Sequence, residues 1–405
     1  MRADLIAGVT VAMVVIPQGM AYAELAGLPA HLGLLASALP ALFAASFASS
    51  PWIQVGPVAT TSLLTLGALS SIAEPGSETY IELAVILALM VGCLRILMGV
   101  ARLGRINYIV SGGVMQGFIL AAGVLIAASQ VPSLFGVSPS THALWRACRD
   151  TIADPSLWRP ESLAVATCTV LIITMGRRLH RLFPGVLVAA AIGVCLVRYT
   201  GLQVDTVGAV PPIKLPSLVA LPWTRLADLW LAGLVIAILG FTEAASLGRA
   251  FSLRHKRPWS ADKELVSQGV ANLVAGACGT FPVGASFSRS ALNHLAGAKS
   301  RLAGAITGLA VLAFLPLSSV VADLPRAVLA GTLLVAVSAL VDRRQLTSLW
   351  RSSRADSLVS ICVFVMTLLF APHVEYGVLL GVAVSALVRS LARPLCKVQR
   401  VSTAQ

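Results

Sequence analysis

Charge is scarce in this sequence. Asp and Glu number 17 in 405 residues and charged residues make 12% of the chain, against 57% hydrophobic and a mean hydropathy of +0.86. A soluble domain carries about twice that share of charge, so a soluble protein is excluded. Period-two alternation is missing too: stretches such as LAVILALMVGCL, residues 83–94, are apolar on every face, which excludes the strands of a membrane barrel. There is no HExxH, no Cys/His pairing and no acidic pair inside the apolar runs, so an intramembrane enzyme is the weakest reading, and neither cofactor nor metal is implied. The seven cysteines form no CxxC and read as small core residues. The first apolar run, from near Leu5, has no small-residue cleavage site after it and reads as a true span, not a signal peptide.

What is present is a series of apolar segments. The sequence predicts an all-α polytopic membrane protein with 14 transmembrane segments, at about 5–24, 31–48, 57–72, 80–101, 113–130, 161–178, 184–200, 228–250, 264–278, 286–298, 301–317, 325–341, 356–371 and 375–391. An even count puts both termini on one side. The connections on that side hold 21 of the 30 Lys and Arg, and those opposite hold seven, so both termini are expected to be cytoplasmic. The net charge of +13 is then mainly this bias and calls for no nucleic acid. Arg95, about two turns from the cytoplasmic end of the fourth span, is expected to snorkel.

The chain also repeats itself. Ala7-Gly8-Val9-Thr10-Val11-Ala12 after Asp4-Leu5 is echoed by Ala232-Gly233-Leu234-Val235-Ile236-Ala237 after Asp228-Leu229, and Val114-Met115-Gln116-Gly117 by Val328-Leu329-Ala330-Gly331. Seven spans per half make the second repeat inverted relative to the first. One span in each half is broken at matching positions, by Gly56-Pro57 and by Pro282 with Gly284. The helix able to follow the first break, about Val58 to Ile72, is about 22 Å long against a hydrocarbon core of about 30 Å. The helix after the second would run from Ser286 to about Ala298. In inverted repeats two such half-helices point their N-termini at each other near the midplane, where free N–H groups and the helix dipoles favour an anion. Pro57 suits a first-turn position, and Trp52 to Val55 and Thr280 to Val283 could pair as short β-strands that satisfy the broken backbone.

The anion would meet Pro57, Val58 and Ala59 at one helix start, and Ser286, Phe287 and Ser288 at the other. Arg289 adds positive charge, by direct contact or from behind; Ser286 and Ser288 either cap the helix or donate hydroxyls. Gln18 and Tyr22, four residues apart, offer an amide and a phenol from one helix face. Glu243 either takes a proton when the anion binds, which couples the two, or forms a structural pair with Arg289.

The stretches Ile16-Pro17-Gln18-Gly19-Met20-Ala21-Tyr22-Ala23, Gln54-Val55-Gly56-Pro57-Val58-Ala59 and Phe287-Ser288-Arg289-Ser290-Ala291-Leu292-Asn293 together resemble the sulfate permease (SulP) family of anion transporters over almost the whole chain. The resemblance implies a core domain (about 1–101 and 228–317) that carries the site and slides against a gate domain (about 107–200 and 325–391), and it implies a homodimer. It also implies that Gln18, Tyr22 and Ser288 wall the anion site and that Glu243 couples it to cations or protons. A short cytoplasmic tail, 392–405, stands where family members continue into a STAS domain, and no such domain is expected here.

The leading expectation is a secondary active transporter in the cell membrane that moves a small anion of the sulfate, bicarbonate or dicarboxylate class by elevator-type alternating access, coupled to protons or to sodium. The alternatives are a passive anion channel or an uncoupled exchanger, with a nucleobase permease ranked below them.

Overall fold

A computed structural model describes residues 1–105, 110–138, 144–209, 216–340 and 354–387. Helices occupy almost all of it. In chain order they are α1 (Arg2–Leu25), α2 (Ala30–Phe47), α3 (Ala59–Leu69), α4 (Glu78–Val100), α5 (Gly112–Phe135), α6 (Leu144–Ala153), α7 (Pro160–Leu179) and α8 (Gly185–Thr200). There follow α9 (Leu226–His255), α10 (Ala261–Ala277), α11 (Phe287–Leu295), α12 (Leu302–Phe314), α13 (Arg326–Leu340) and two further helices, Arg354–Leu369 and Val374–Leu387. Seven helices among the described residues are long and apolar enough to cross a membrane, and five shorter apolar ones accompany them. The chain is a multi-pass membrane protein. Because lipid offers no hydrogen bonds, the backbone is helical almost throughout.

One pair of strands interrupts the helices. β1 (Val55–Gly56) pairs antiparallel with β2 (Gly284–Ala285), with Val55 opposite Ala285 and Gly56 opposite Gly284. The expected pairing of 52–55 with 280–283 is therefore displaced toward the helices. The displacement has a cause in side chains: Asn272 of α10 takes both backbone groups of Val283 (3.0 Å each), which removes Val283 from the ladder, and Asn293 of α11 donates to the Trp52 carbonyl at 3.1 Å. Pro57 also lies ahead of its helix, because Val58 is the extended cap residue of α3.

The helices pack crosswise. α12 lies against α1 and α2, and α4 lies against α9 and α10. The connection between α5 and α7 contains α6, which carries Arg146, Arg149 and Asp150. Of the cysteines, Cys93, Cys168 and Cys195 are exposed on the helix bundle and Cys278 is buried, so the reading of all seven as core residues is corrected. A thiol is apolar enough to face lipid as readily as core. Cys396, the tail 392–405 and the cationic residues Lys214, Arg343, Arg344, Arg351, Arg389, Arg393, Lys397 and Arg400 lie outside the described residues.

The α1 to α2 crossing holds the site's first helix in place and needs two glycines. A Cβ on Gly33 would stand 2.1 Å from the Gly19 carbonyl oxygen, and one on Gly19 would stand 2.3 Å from Ser37 Oγ. Backbone cannot give way as a side-chain tip can. Gly33→Ala is expected to destabilise the protein by about 1–3 kcal/mol, read as a lower thermal midpoint in detergent; an unchanged midpoint would show that the helices can part freely here.

Candidate functional site

The two short helices begin beside the strand pair, and a cavity of about 330 Å³ lies at their N-termini. Val58, Ala59 and Thr60 line it from α3, Ser286, Phe287, Ser288 and Ala291 from α11, and Tyr22, Glu243 and Leu247 from α1 and α9, with Ala285 and Ala336 completing the wall. The first turn of α3 carries no side-chain cap, so its N–H groups are left for whatever fills the cavity. At α11 the Ser286 hydroxyl accepts from the Arg289 N–H at 3.4 Å and lies 3.4 Å from the Ser288 hydroxyl.

Of the residues expected at the site, Tyr22, Val58, Ala59, Glu243, Ser286, Phe287 and Ser288 line this cavity. Gln18, Pro57 and Arg289 are not in the wall. Gln18 is buried and donates to the Tyr22 hydroxyl at 3.1 Å, so it orients the phenol. Arg289 is 1% exposed; its Nη1 donates to the Pro57 carbonyl at 2.7 Å, while Nε and Nη2 have no hydrogen-bond partner among the described residues. Its charge therefore stands behind the strand at Gly56, where a Cβ would come within 3.2 Å of Nη2.

Glu243 does not pair with Arg289. It is buried and faces Thr60 of α3 and Arg95 of α4, with Tyr22 as a further neighbour. Arg95 does not snorkel either: it is fully buried, and donates to the carbonyls of Ala237 (3.2 Å), Val283 (3.1 Å) and Ile236 (2.9 Å). The sequence showed how far Arg95 lies from the helix end but not which face it occupies. That face turns inward because three carbonyls await it.

Ser290 and Asn293 were not among the expected site residues, and they lie at i+4 and i+7 from Ser286 along α11, forming one polar stripe with it. They engage the stretch ahead of β1 through Gln54 O (from Ser286 N, 3.0 Å), Gln54 N (to Ser290 Oγ, 2.9 Å) and Trp52 O. The stripe is visible in the sequence. Asn272, Thr60 and Ala336 gave no such signal.

The fold and the cavity define a polytopic helical membrane protein with a mainly apolar pocket that carries a few polar groups between two interrupted segments. Residues 1–363 match the model of the sulfate permease family, and the chain belongs to that family. It is 34% identical to "Probable sulfate transporter 4.2" of Arabidopsis thaliana, over 95% of this chain and 58% of the relative. It is 32% identical to "Solute carrier family 26 member 6" of Homo sapiens, over 95% and 54%, and 31% identical to "Probable sulfate transporter MT1781" of Mycobacterium tuberculosis, over 97% and 71%. The chain thus spans less than three fifths of the length of these plant and human relatives. Its fold is that of the murine Slc26a9 anion transporter in the inward-facing state (TM-score 0.87, 22% identity, 97% of this chain and 69% of that one). It is also that of the transmembrane domain of the cyanobacterial bicarbonate transporter BicA (TM-score 0.79, 22% identity, 95% and 97%). The relatives' names describe transporters and no enzyme.

Asn272 offers a test of how the broken backbone is held. Asn272→Leu leaves the buried Val283 N–H without its partner, and the expected cost is about 1–3 kcal/mol, seen as a lower thermal midpoint in detergent. A midpoint equal to that of the natural sequence would mean that β2 is positioned without the clamp.

Proposed function

We propose that this chain is a secondary active transporter that carries a small anion, of the sulfate, bicarbonate or dicarboxylate class, by elevator-type alternating access coupled to protons. The observation that carries the reading is the cavity at the two helix N-termini, with Glu243 in its wall and two buried guanidiniums behind it. Unpaired N–H groups and fixed positive charge favour an anion where little water competes. An anion arriving there repels the Glu243 carboxylate, and a proton on that carboxyl removes the repulsion, so the two solutes bind better together than apart. The relatives, two of them probable sulfate transporters, support sulfate as the first substrate to try.

The same reading includes 14 membrane crossings in two inverted repeats of seven, with α3 and α11 as half-helices. Its support is the crosswise packing: α1 and α2 of one half meet α12 of the other, while α9 and α10 meet α4, as a two-fold axis between the halves would require. We take residues 1–101 and 228–317 as the moving core and 107–200 and 325–391 as the gate, with both termini in the cytoplasm of a cell membrane and two copies per transporter.

The test is uptake of radiolabelled sulfate, bicarbonate and a dicarboxylate into sealed liposomes holding the purified protein, with and without an inward proton gradient. One of these anions is expected to accumulate above equilibrium only with the gradient. Glu243→Gln is expected to abolish that dependence while anion-for-anion exchange continues. Uptake that merely equilibrates in both proteins, whatever the gradient, would replace this reading with a channel or an uncoupled exchanger. Dependence on sodium instead of protons would keep Glu243 as the coupling group and change the coupled ion.

A further inference from the structure

We propose that Arg95 is a specificity-determining residue of this site, the second fixed positive charge through which the cavity favours a divalent over a monovalent anion. The inference rests on the transport reading above and concerns a residue that does not itself touch the anion.

The placement of Arg95 is built on three elements. Its guanidinium donates to Ile236 and Ala237 of α9 and to Val283 just ahead of β2. It lies against Gly240, where a Cβ would stand 2.4 Å from Nη2, so α9 omits a side chain to admit it. Gly240 and Glu243 are three residues apart on one helix face, about 4.5 Å along the axis, and Val283 is two residues from Ala285 in the cavity wall. The guanidinium therefore sits within about one helical turn of the cavity. Among the described residues its three hydrogen bonds all go to neutral carbonyls, and it forms no salt bridge there.

The charges then decide what the cavity balances. Arg95 and Arg289 are both buried, and Glu243 is the carboxylate in the wall, facing Arg95. The groups facing Glu243 are Thr60 from α3, Arg95 from α4 and Tyr22 from α1, and Tyr22 in turn neighbours Arg289. With Glu243 ionised, two cations against one anion leave one positive charge, which a monovalent anion neutralises. With Glu243 protonated they leave two, which a divalent anion neutralises. Without Arg95 the excess falls to none or one, and a divalent anion is never balanced. Unbalanced charge in a low-dielectric interior is strongly disfavoured.

The experiment measures sulfate and nitrate as competitors of labelled anion counterflow in liposomes and takes the ratio of their half-inhibitory concentrations. Arg95→Gln is expected to lower the preference for sulfate over nitrate by about tenfold or more. Arg95→Lys, which keeps the charge, is expected to retain most of the preference, and Glu243→Gln, which removes the opposing charge, to move it the other way. If folded Arg95→Gln weakens both anions alike, Arg95 only holds α9 to β2 and the proposal is overturned. If Arg95→Gln yields no monodisperse protein in detergent, the other two variants decide: an unchanged ratio in Glu243→Gln overturns the charge balance. A natural sequence that exchanges neither anion sinks the transport reading and this inference with it, whereas a failed ratio with intact exchange sinks this inference alone.

Discussion

Where two chain segments leave helical geometry among packed apolar helices, every N–H and C=O they free must find a partner, because neither lipid nor core supplies one. The strand pair meets only part of that need, since β1 and β2 contribute two residues each. The rest is met by side chains reaching in from neighbouring helices. Ser290 and Asn293 hold the stretch ahead of β1, Asn272 holds both backbone groups of Val283, and Arg95 and Arg289 each cap a carbonyl beside a strand. The two breaks are thus one structure: the N-terminus of α3 is placed by α11 and its arginine, and that of α11 by α10 and α4.

Both positive charges serve this backbone before they serve any ligand. A guanidinium suits the task because its planar fork can bond several carbonyls while keeping its charge, which a lysine ammonium does with less directionality. Arg95 uses Nε, Nη1 and Nη2 in this way. Arg289 uses Nη1 alone, and its Nε and Nη2 have no hydrogen-bond partner among the described residues, so its charge is the less solvated of the two. The fields of both reach the cavity while neither side chain enters it. A small ion can be attracted without being bound in a fixed ion pair that it must break to leave.

Much of this was legible in the sequence, and the parts that were not share a cause. Gly56-Pro57, Pro282 and Gly284 announce both interruptions, because they are signals of local backbone geometry. Gln18 and Tyr22 form the contact that their spacing suggests, since an i, i+4 pair is also local. Register and pairing were misjudged where a residue distant in sequence decides them. Asn272 shifts the strand pairing toward the helices, and Arg95, read as reaching for the membrane surface, turns inward to α9. Glu243 faces Thr60 and Arg95, so the alternative in which it pairs with Arg289 does not hold. The share of the cavity wall given by Ala336 was equally hidden, for a small apolar residue carries no pattern.

That alanine bears on how the site could move. Among the described residues, the polar groups of the cavity wall come from α1, α3, α9, and α11 with its cap Ser286, and Ala336 of α13 is the one wall residue outside the stretches assigned to the core. Under the sliding motion proposed here, the polar contacts to an anion would all travel with one body. The face they pass would offer a methyl group in the wall, with no hydrogen bond to break. A polar residue at position 336 would add a contact present in one position of the core and absent in the other, favouring one end of the cycle. An apolar and small residue would favour neither, so under the proposed motion the anion's hydrogen bonds would remain constant while its access changed.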